Sequence, residues 1–254
     1  MSCSSDSSQG FGGAVDLIFQ SRDSISGGVC IGGPGEFLEL AGLHLRTSVL
    51  AIALGILVAL PIGVYLGHKR RGEFLAVSVS NVGRAVPSLA LLAFFVAFVG
   101  VGLVNATLVL TLLAIPPILT NSYVGVRQVD PDTVAAARGV GLTDGQIIRQ
   151  VELPLASATI LAGVRTAAVA VVATATITPL ANVQSLGTPI LEPQTYGQAG
   201  QLAAAIVVAL ITFLVDFGIG IAARLATPKG LTVSAHGTPA RRRFSLGIPQ
   251  RTEA

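Results

Sequence analysis

The chain has 254 residues, of which 52% are apolar and 11% charged, with a mean hydropathy of +0.74; soluble domains carry about 25% charged residues. That balance excludes an ordinary soluble globule and points to an all-α, polytopic integral membrane protein. The formal net charge of +3 reads as an orientation signal rather than a nucleic-acid-binding surface.

In chain order, residues 1–40 hold a serine-rich start, Ser2 to Ser8, and a glycine-rich run, Gly27 to Gly35. No basic region followed by an apolar core is visible, so no cleavable signal peptide is expected. The stretch Val15 to Phe19 can lie on a membrane surface, but an extracytoplasmic flexible tail is the simpler expectation. Cys3 and Cys30 can pair if that tail is external, although spacing alone does not fix the pairing.

Residues 41–226 form the expected transmembrane domain. Five segments are long enough to cross a hydrocarbon core of roughly 30 Å: Leu43 to Leu66, Phe74 to Gly100, Val104 to Val126, Ser157 to Pro179 and Gln201 to Leu225. Lysine and arginine set the orientation, because cytoplasmic loops retain them. Lys69, Arg70 and Arg71 follow span one, Arg127, Arg138 and Arg149 lie between spans three and four, and Arg224 and Lys229 lead into a basic tail, residues 227–254, with Arg241, Arg242, Arg243 and Arg251. Alternating spans place all of these on one side. The opposite side holds only Arg22 and Arg46 among acidic residues, so the N-terminus is expected outside and the C-terminus in the cytoplasm.

Enzyme chemistry is tested by subtraction. The only lysines, Lys69 and Lys229, follow His68 and Pro228, so no Gly-Lys-Ser/Thr phosphate loop exists. His44, His68 and His236 lack the spacing of a zinc helix, and there is no Gly-x-Ser-x-Gly elbow. No metal, cofactor or catalytic residue is expected; His44 and His68 read as interfacial residues at span ends.

The long polar stretch between spans three and four, residues 127–155, is built differently from a plain loop. Asp130 is a good N-cap and Pro131 a good first helical residue, predicting a short helix to about Arg138. Gly139 and Gly141 break it. Thr143 with Gln146 forms a capping box that starts a second short helix, carrying Ile147, Ile148 and Val151 and halting at Leu153-Pro154. A helix, elbow, helix unit with these apolar positions suits docking into another protein's groove, the plainer alternative being a unit lying along the membrane surface.

The residues Ala135-Ala136-Ala137, Gly141 and Val151-Glu152-Leu153-Pro154 resemble the Glu-Ala-Ala, Gly, Ile-x-Leu-Pro motif of membrane subunits of binding-protein-dependent ATP-binding-cassette importers. Alanine stands for the motif's glutamate and valine for its isoleucine. A narrower likeness, over roughly residues 37–225, is to osmoprotectant permeases for glycine betaine, carnitine or choline; Pro87 to Leu92 and Pro117 to Asn121 carry it most specifically. Arg84 replaces the family's usual glutamine, and 182–187 replaces its glycine-rich segment. The resemblance implies a metabolite-importer permease fold that couples to a separate cytoplasmic ATP-binding subunit through Ala135, Ala136, Ala137, Gly141, Ile147, Ile148, Val151, Leu153 and Pro154.

Rocking between inward-open and outward-open states needs helices that bend, and Pro61, Pro87, Pro116 and Pro117 are expected to supply kinks. Ionisable groups at membrane depth usually face a cavity or a partner, and Arg84, Arg165 and Asp216 qualify. Asp216 is expected to pair with Arg84 or Arg165. With Pro87, Ser88 and Asn121 these form the expected translocation path, while Asn81 and Asn105 either line it or satisfy helix contacts. Quaternary ammonium recognition uses an aromatic cage, and the chain has no tryptophan and three tyrosines, Tyr65, Tyr123 and Tyr196. Affinity is therefore expected in a separate extracytoplasmic binding protein, and one chain is expected to supply half a pore, paired with a second copy or a similar permease. The alternatives are an amino-acid or phosphonate importer of the same superfamily and, more distantly, a secondary transporter, for which no internal repeat is found.

Overall fold

The computed structural model describes residues 10–226. It opens with helix α1 (Gly10–Phe19) and a hairpin of β1 (Ser21–Asp23) and β2 (Cys30–Gly32), paired antiparallel with Ser21 opposite Gly32. This corrects the expectation of a flexible tail. The glycine-rich run makes the hairpin possible: Gly27 and Gly28 take left-handed φ values of 80° and 85° at its turn, where a side chain would be strained. Ala14 and Leu17 of α1 are then buried with Tyr196, Ala203 and Ala204, far along the chain. Cys30 is disulfide-bonded; Cys3 and the basic tail 227–254 lie outside the described residues.

Helix α2 (Gly33–His68) follows directly, so the expected boundary at residue 40 falls inside a helix. His44 is correspondingly not at a span end. It is fully buried, with Nε2 2.8 Å from the Val172 carbonyl. The second expected span is not one helix but two, α3 (Glu73–Ala85) and α4 (Ser88–Val99). Pro87 has no N–H to donate, and its ring drives the preceding Val86 to an extended φ of −79° and ψ of 121°. Among the described residues, four helices are therefore long and apolar enough to cross a membrane. Pro61 and Pro116-Pro117, by contrast, lie inside the single helices α2 and α5 (Leu103–Arg127).

The polar segment contains α6 (Pro131–Gly139) and α7 (Asp144–Ile147). The second short helix does not halt at Leu153-Pro154. It passes through a π turn, Ile148–Glu152, into α8 (Leu153–Thr174). The wider turn is the physical reason: Leu153 N–H donates to the Ile148 carbonyl five residues back, and Pro154 falls in the first turn of α8, where its missing N–H matters least. A 3₁₀ stretch (Ala175–Ala181), α9 (Thr188–Leu191) and α10 (Pro193–Ala226), broken at Gly197, complete the described chain.

Helix α5 lies at the centre, against α2, α3 and α8. Leu110, Ala114, Ile118 and Tyr123 of α5 share its core with Ala51 and Ala59 of α2 and with Ala167 and Val171 of α8. The α2 contact is made through a row of small residues, Gly55, Ala59, Gly63 and Gly67, which lets the backbones approach closely.

Candidate coupling segment and substrate route

The start of α6 is fixed by Asp130, whose carboxylate accepts from Asp132 N–H at 3.0 Å, with Pro131 in the first turn. Its end is a Schellman motif: Gly141 N–H donates to the Arg138 carbonyl at 3.0 Å and Leu142 N–H to that of Ala137 at 3.2 Å. Gly141 takes φ +92°, the conformation that motif demands. Thr143 and Gln146 form the capping box that opens α7. The elbow is thus held at both ends by local hydrogen bonds.

The segment shows two faces. Ile147 is fully buried, and Ile148 and Leu153 pack against Val64, Val126, Ala156 and Ile160. Ile147 is thus covered within the chain, and half-buried Ile148 and Leu153 turn part of their surface inward, fastening the segment to α2, α5 and α8. Val151 and Pro154 are half-buried, and Ala137 is buried on the inner side of α6. Ala135, Ala136 and Gly141 are exposed, beside Val140 at 80% exposure. Val140 was missed in the sequence because a lone valine between two glycines has no periodicity to mark it.

Charge gathers at the same end. Asp144 accepts from Lys69 at 3.0 Å and from Arg138 at 2.9 Å, and these partners, Lys69 first, hold its carboxyl down at about 2. His68 Nδ1 is 2.8 Å from Glu152 Oε2. Arg70 donates to the Val129 carbonyl at 2.9 Å.

The expected route residues separate into three places. Pro87 and Ser88 sit at the break between α3 and α4, where Ser78, Val82, Val86, Ser88, Leu91 and Pro116 line a mostly apolar cavity of about 370 Å³. Arg84 belongs to α3, and its side chain lies outside the described residues. Arg165 and Asp216 join α8 to α10 in a bidentate pair, Nε to Oδ1 and Nη2 to Oδ2 both at 2.5 Å. Their side chains are 45% and 33% exposed, beside a second cavity of about 340 Å³ lined by Ala158, Ala162 and Gly220. The two cavities share no lining residue.

Asn121 donates its amide to the Pro117 carbonyl at 2.8 Å, and Asn105 to that of Gly100 at 2.7 Å; both satisfy helix contacts. Asn81 is exposed on α3. Tyr123 and Tyr196 belong to different buried clusters and Tyr65 is exposed on α2, so the tyrosines form no cage. The one close group of three rings among the described residues is Phe94, Phe95 and Phe98 on α4, with centroids 5.7 and 4.7 Å from Phe94. Segment 182–187 folds back on the 3₁₀ stretch: Ser185 donates to the Ala175 carbonyl at 3.2 Å and accepts from Gly187 N–H at 3.0 Å. Among the described residues no group of three or more His, Cys, Asp or Glu side chains is placed to hold a metal ion.

Comparison with known proteins agrees with this architecture. The chain is 35% identical over 198 residues to the glycine betaine/carnitine/choline transport system permease protein OpuCB of Bacillus subtilis, covering 78% of this chain and 91% of that protein. It is 37% identical to the carnitine transport permease protein OpuCB of Listeria monocytogenes, covering 76% and 89%. Among solved structures, an inward-facing MetNI methionine ABC transporter shares the fold, with a TM-score of 0.66 at 20% identity over 75% of this chain and 96% of that one. An amino acid ABC transporter matches with a TM-score of 0.56 at 20% identity, over 74% and 91%. The family described as binding-protein-dependent transport system inner membrane component matches residues 51–228, from the middle of α2 through α10, and the chain belongs to that family.

Proposed function

We propose that the chain is the permease subunit of an ATP-driven importer of osmoprotectants of the glycine betaine class, forming half of a pore and coupling to a separate cytoplasmic ATP-binding subunit. The observation that carries the coupling is the outer face of α6 and its elbow. Ala135, Ala136, Val140 and Gly141 present a small, apolar, rigidly capped surface where the rest of the segment is anchored inward. A knob of this kind fills a groove without needing to order itself on binding. The cations Lys69, Arg70, Arg138 and Asp144's network lie at the same end, which supports a cytoplasmic placement of that end and an outside N-terminus.

The substrate class is supported by relatives whose names share a quaternary amine: glycine betaine, carnitine and choline. The route is proposed to pass the α3–α4 break at Val86-Pro87, whose apolar cavity suits methylated ammonium groups better than a bare ion. Asp216 neutralises Arg165, so that pair adds no net positive charge to oppose a cation. A second permease copy completes the pore, and an extracytoplasmic binding protein delivers the substrate. Liposomes holding the permease, its ATPase and its binding protein take up labelled glycine betaine in an ATP-dependent manner on this reading. ATP-dependent uptake of methionine or a phosphonate, with none of glycine betaine, would overturn the substrate assignment.

A further inference from the structure

Three consecutive residues at the end of α2 each grip a different part of the coupling segment. His68 meets Glu152 in the π turn, Lys69 meets Asp144 at the start of α7, and Arg70 meets the Val129 carbonyl ahead of α6. The His68 contact is the one withdrawn from water, its two side chains being 3% and 4% exposed. The second ring nitrogen, Nε2, faces the Asp144 carboxylate at 3.6 Å, so one imidazole lies between two carboxylates of the same segment.

The π turn creates this arrangement. In an uninterrupted α-helix, at ~100° per residue, Asp144 and Glu152 would point about 80° apart. The wider turn at Ile148–Glu152 advances fewer degrees per residue and brings Glu152 back towards the face of Asp144. Burying the segment does not require this pair. Val64, Val126, Ala156 and Ile160 already supply an apolar seat for Ile148 and Leu153 beside it. A buried polar pair adds little stability compared with apolar packing, and its best-attested use is to fix register.

We infer that His68 and Glu152 form a latch that makes α2 move with the coupling segment when the ATP-binding subunit displaces it. Helix α8 needs no latch, because it continues from the segment through the π turn. Helix α2 has no covalent continuity with the segment; Lys69 and Arg70 reach it from exposed positions, and His68–Glu152 is the polar contact between them whose two side chains are both buried, so it is the one placed to resist slip. His68 and Glu152 are positioning residues on this account, and the account rests on the coupling function proposed above.

The test reconstitutes the permease with its ATPase and binding protein and measures glycine betaine taken up per ATP hydrolysed. His68→Ala and Glu152→Ala are expected to lower that ratio roughly fivefold or more while ATP hydrolysis continues, and His68→Glu combined with Glu152→His to restore it. Spin labels on cysteines placed at Arg71 and Val140 of the isolated permease should give one narrow distance in the wild type and the exchanged pair, and a broad distribution in His68→Ala. Loss of uptake and hydrolysis in equal proportion, or an unchanged ratio in both alanine variants, would overturn the latch. A wild-type permease that never captures the ATPase overturns the coupling reading instead; a narrow distance retained in His68→Ala then rejects the latch separately.

Discussion

Gly63→Ala should destabilise the protein, and Gly42→Ala, the same substitution in the same helix, should stabilise it. A Cβ at residue 63 would stand 2.7 Å from both the Leu119 carbonyl oxygen and Ser122 Cβ, and 3.2 Å from the Tyr123 nitrogen. Two of these are backbone atoms of α5 that no side-chain rotation can move. Carbon atoms rest at about 3.5–4.0 Å, so α2 and α5 must part by roughly 1 Å, a gap that forfeits a quarter to a half of each dispersion contact along the seam. The neighbours at Gly55 and Gly67, whose own added Cβ atoms would stand 2.8 Å from Ala114 and Val126, lose contact together. Overpacking of this kind costs about 1–3 kcal/mol, a fall of roughly 2–12 °C in the thermal midpoint for a chain of this size. Nothing lies within 4 Å of a Cβ at Gly42, which is exposed on α2. Alanine there gains about 0.5–1 kcal/mol of helix preference. The midpoints can be read from the soluble fraction left by heating detergent-purified protein, quantified by size-exclusion chromatography. A Gly63→Ala midpoint no lower than wild type, or equal losses in both variants, would refute the close approach of α2 and α5.

Gly141→Val puts a β-branched residue at φ +92°, at a cost of about 1–2 kcal/mol confined to the elbow; the ATPase subunit should no longer co-purify although the permease still reaches the membrane, and normal co-purification would remove the elbow from the contact. Cysteines introduced at Gln194 and Ser234 should react with an impermeant thiol reagent from outside and from inside respectively, and equal sidedness would contradict the proposed orientation. Arg84→Gln should raise choline uptake relative to glycine betaine, because losing one cation beside the proposed route relieves a net-charged substrate more than a zwitterion. An unchanged ratio, with the binding protein saturated by each substrate, would place selectivity outside Arg84.

The parts of the fold that were legible in the sequence are those decided by chemistry within a few residues. Asp130-Pro131 and the Thr143–Gln146 box named the starts of α6 and α7 because a cap is a contact between near neighbours. The hairpin was illegible for the opposite reason: a glycine run is equally a turn and a tail until its partner is known, and Tyr196, hydrogen-bonded to Glu36, lies 160 residues away. Proline misled twice, in opposite directions. Pro87 breaks a span that reads as continuous, whereas Pro154 fails to stop a helix that reads as ended. The same missing N–H acts in both; what differs is the neighbourhood. At Pro154 the preceding π turn reaches back one carbonyl further and carries the helix past the ring, whereas Val86 leaves the helical region and ends α3.

The docking face shows the same limit from another side. Apolar spacing marked Ile147, Ile148 and Val151 as residues that seek cover, but periodicity carries no information about whether that cover belongs to the same chain. Val64 and Val126, supplied by α2 and α5, occupy the inner side, and the surface left for the proposed partner is Val140, Gly141 and the two exposed alanines. On the coupling function proposed above, small residues at that surface follow: a segment pulled by a partner and anchored in its own chain must bury its large side chains on the anchored side. On the pulled side it must offer shape, because a large apolar face would stick to any groove whether or not it transmits force.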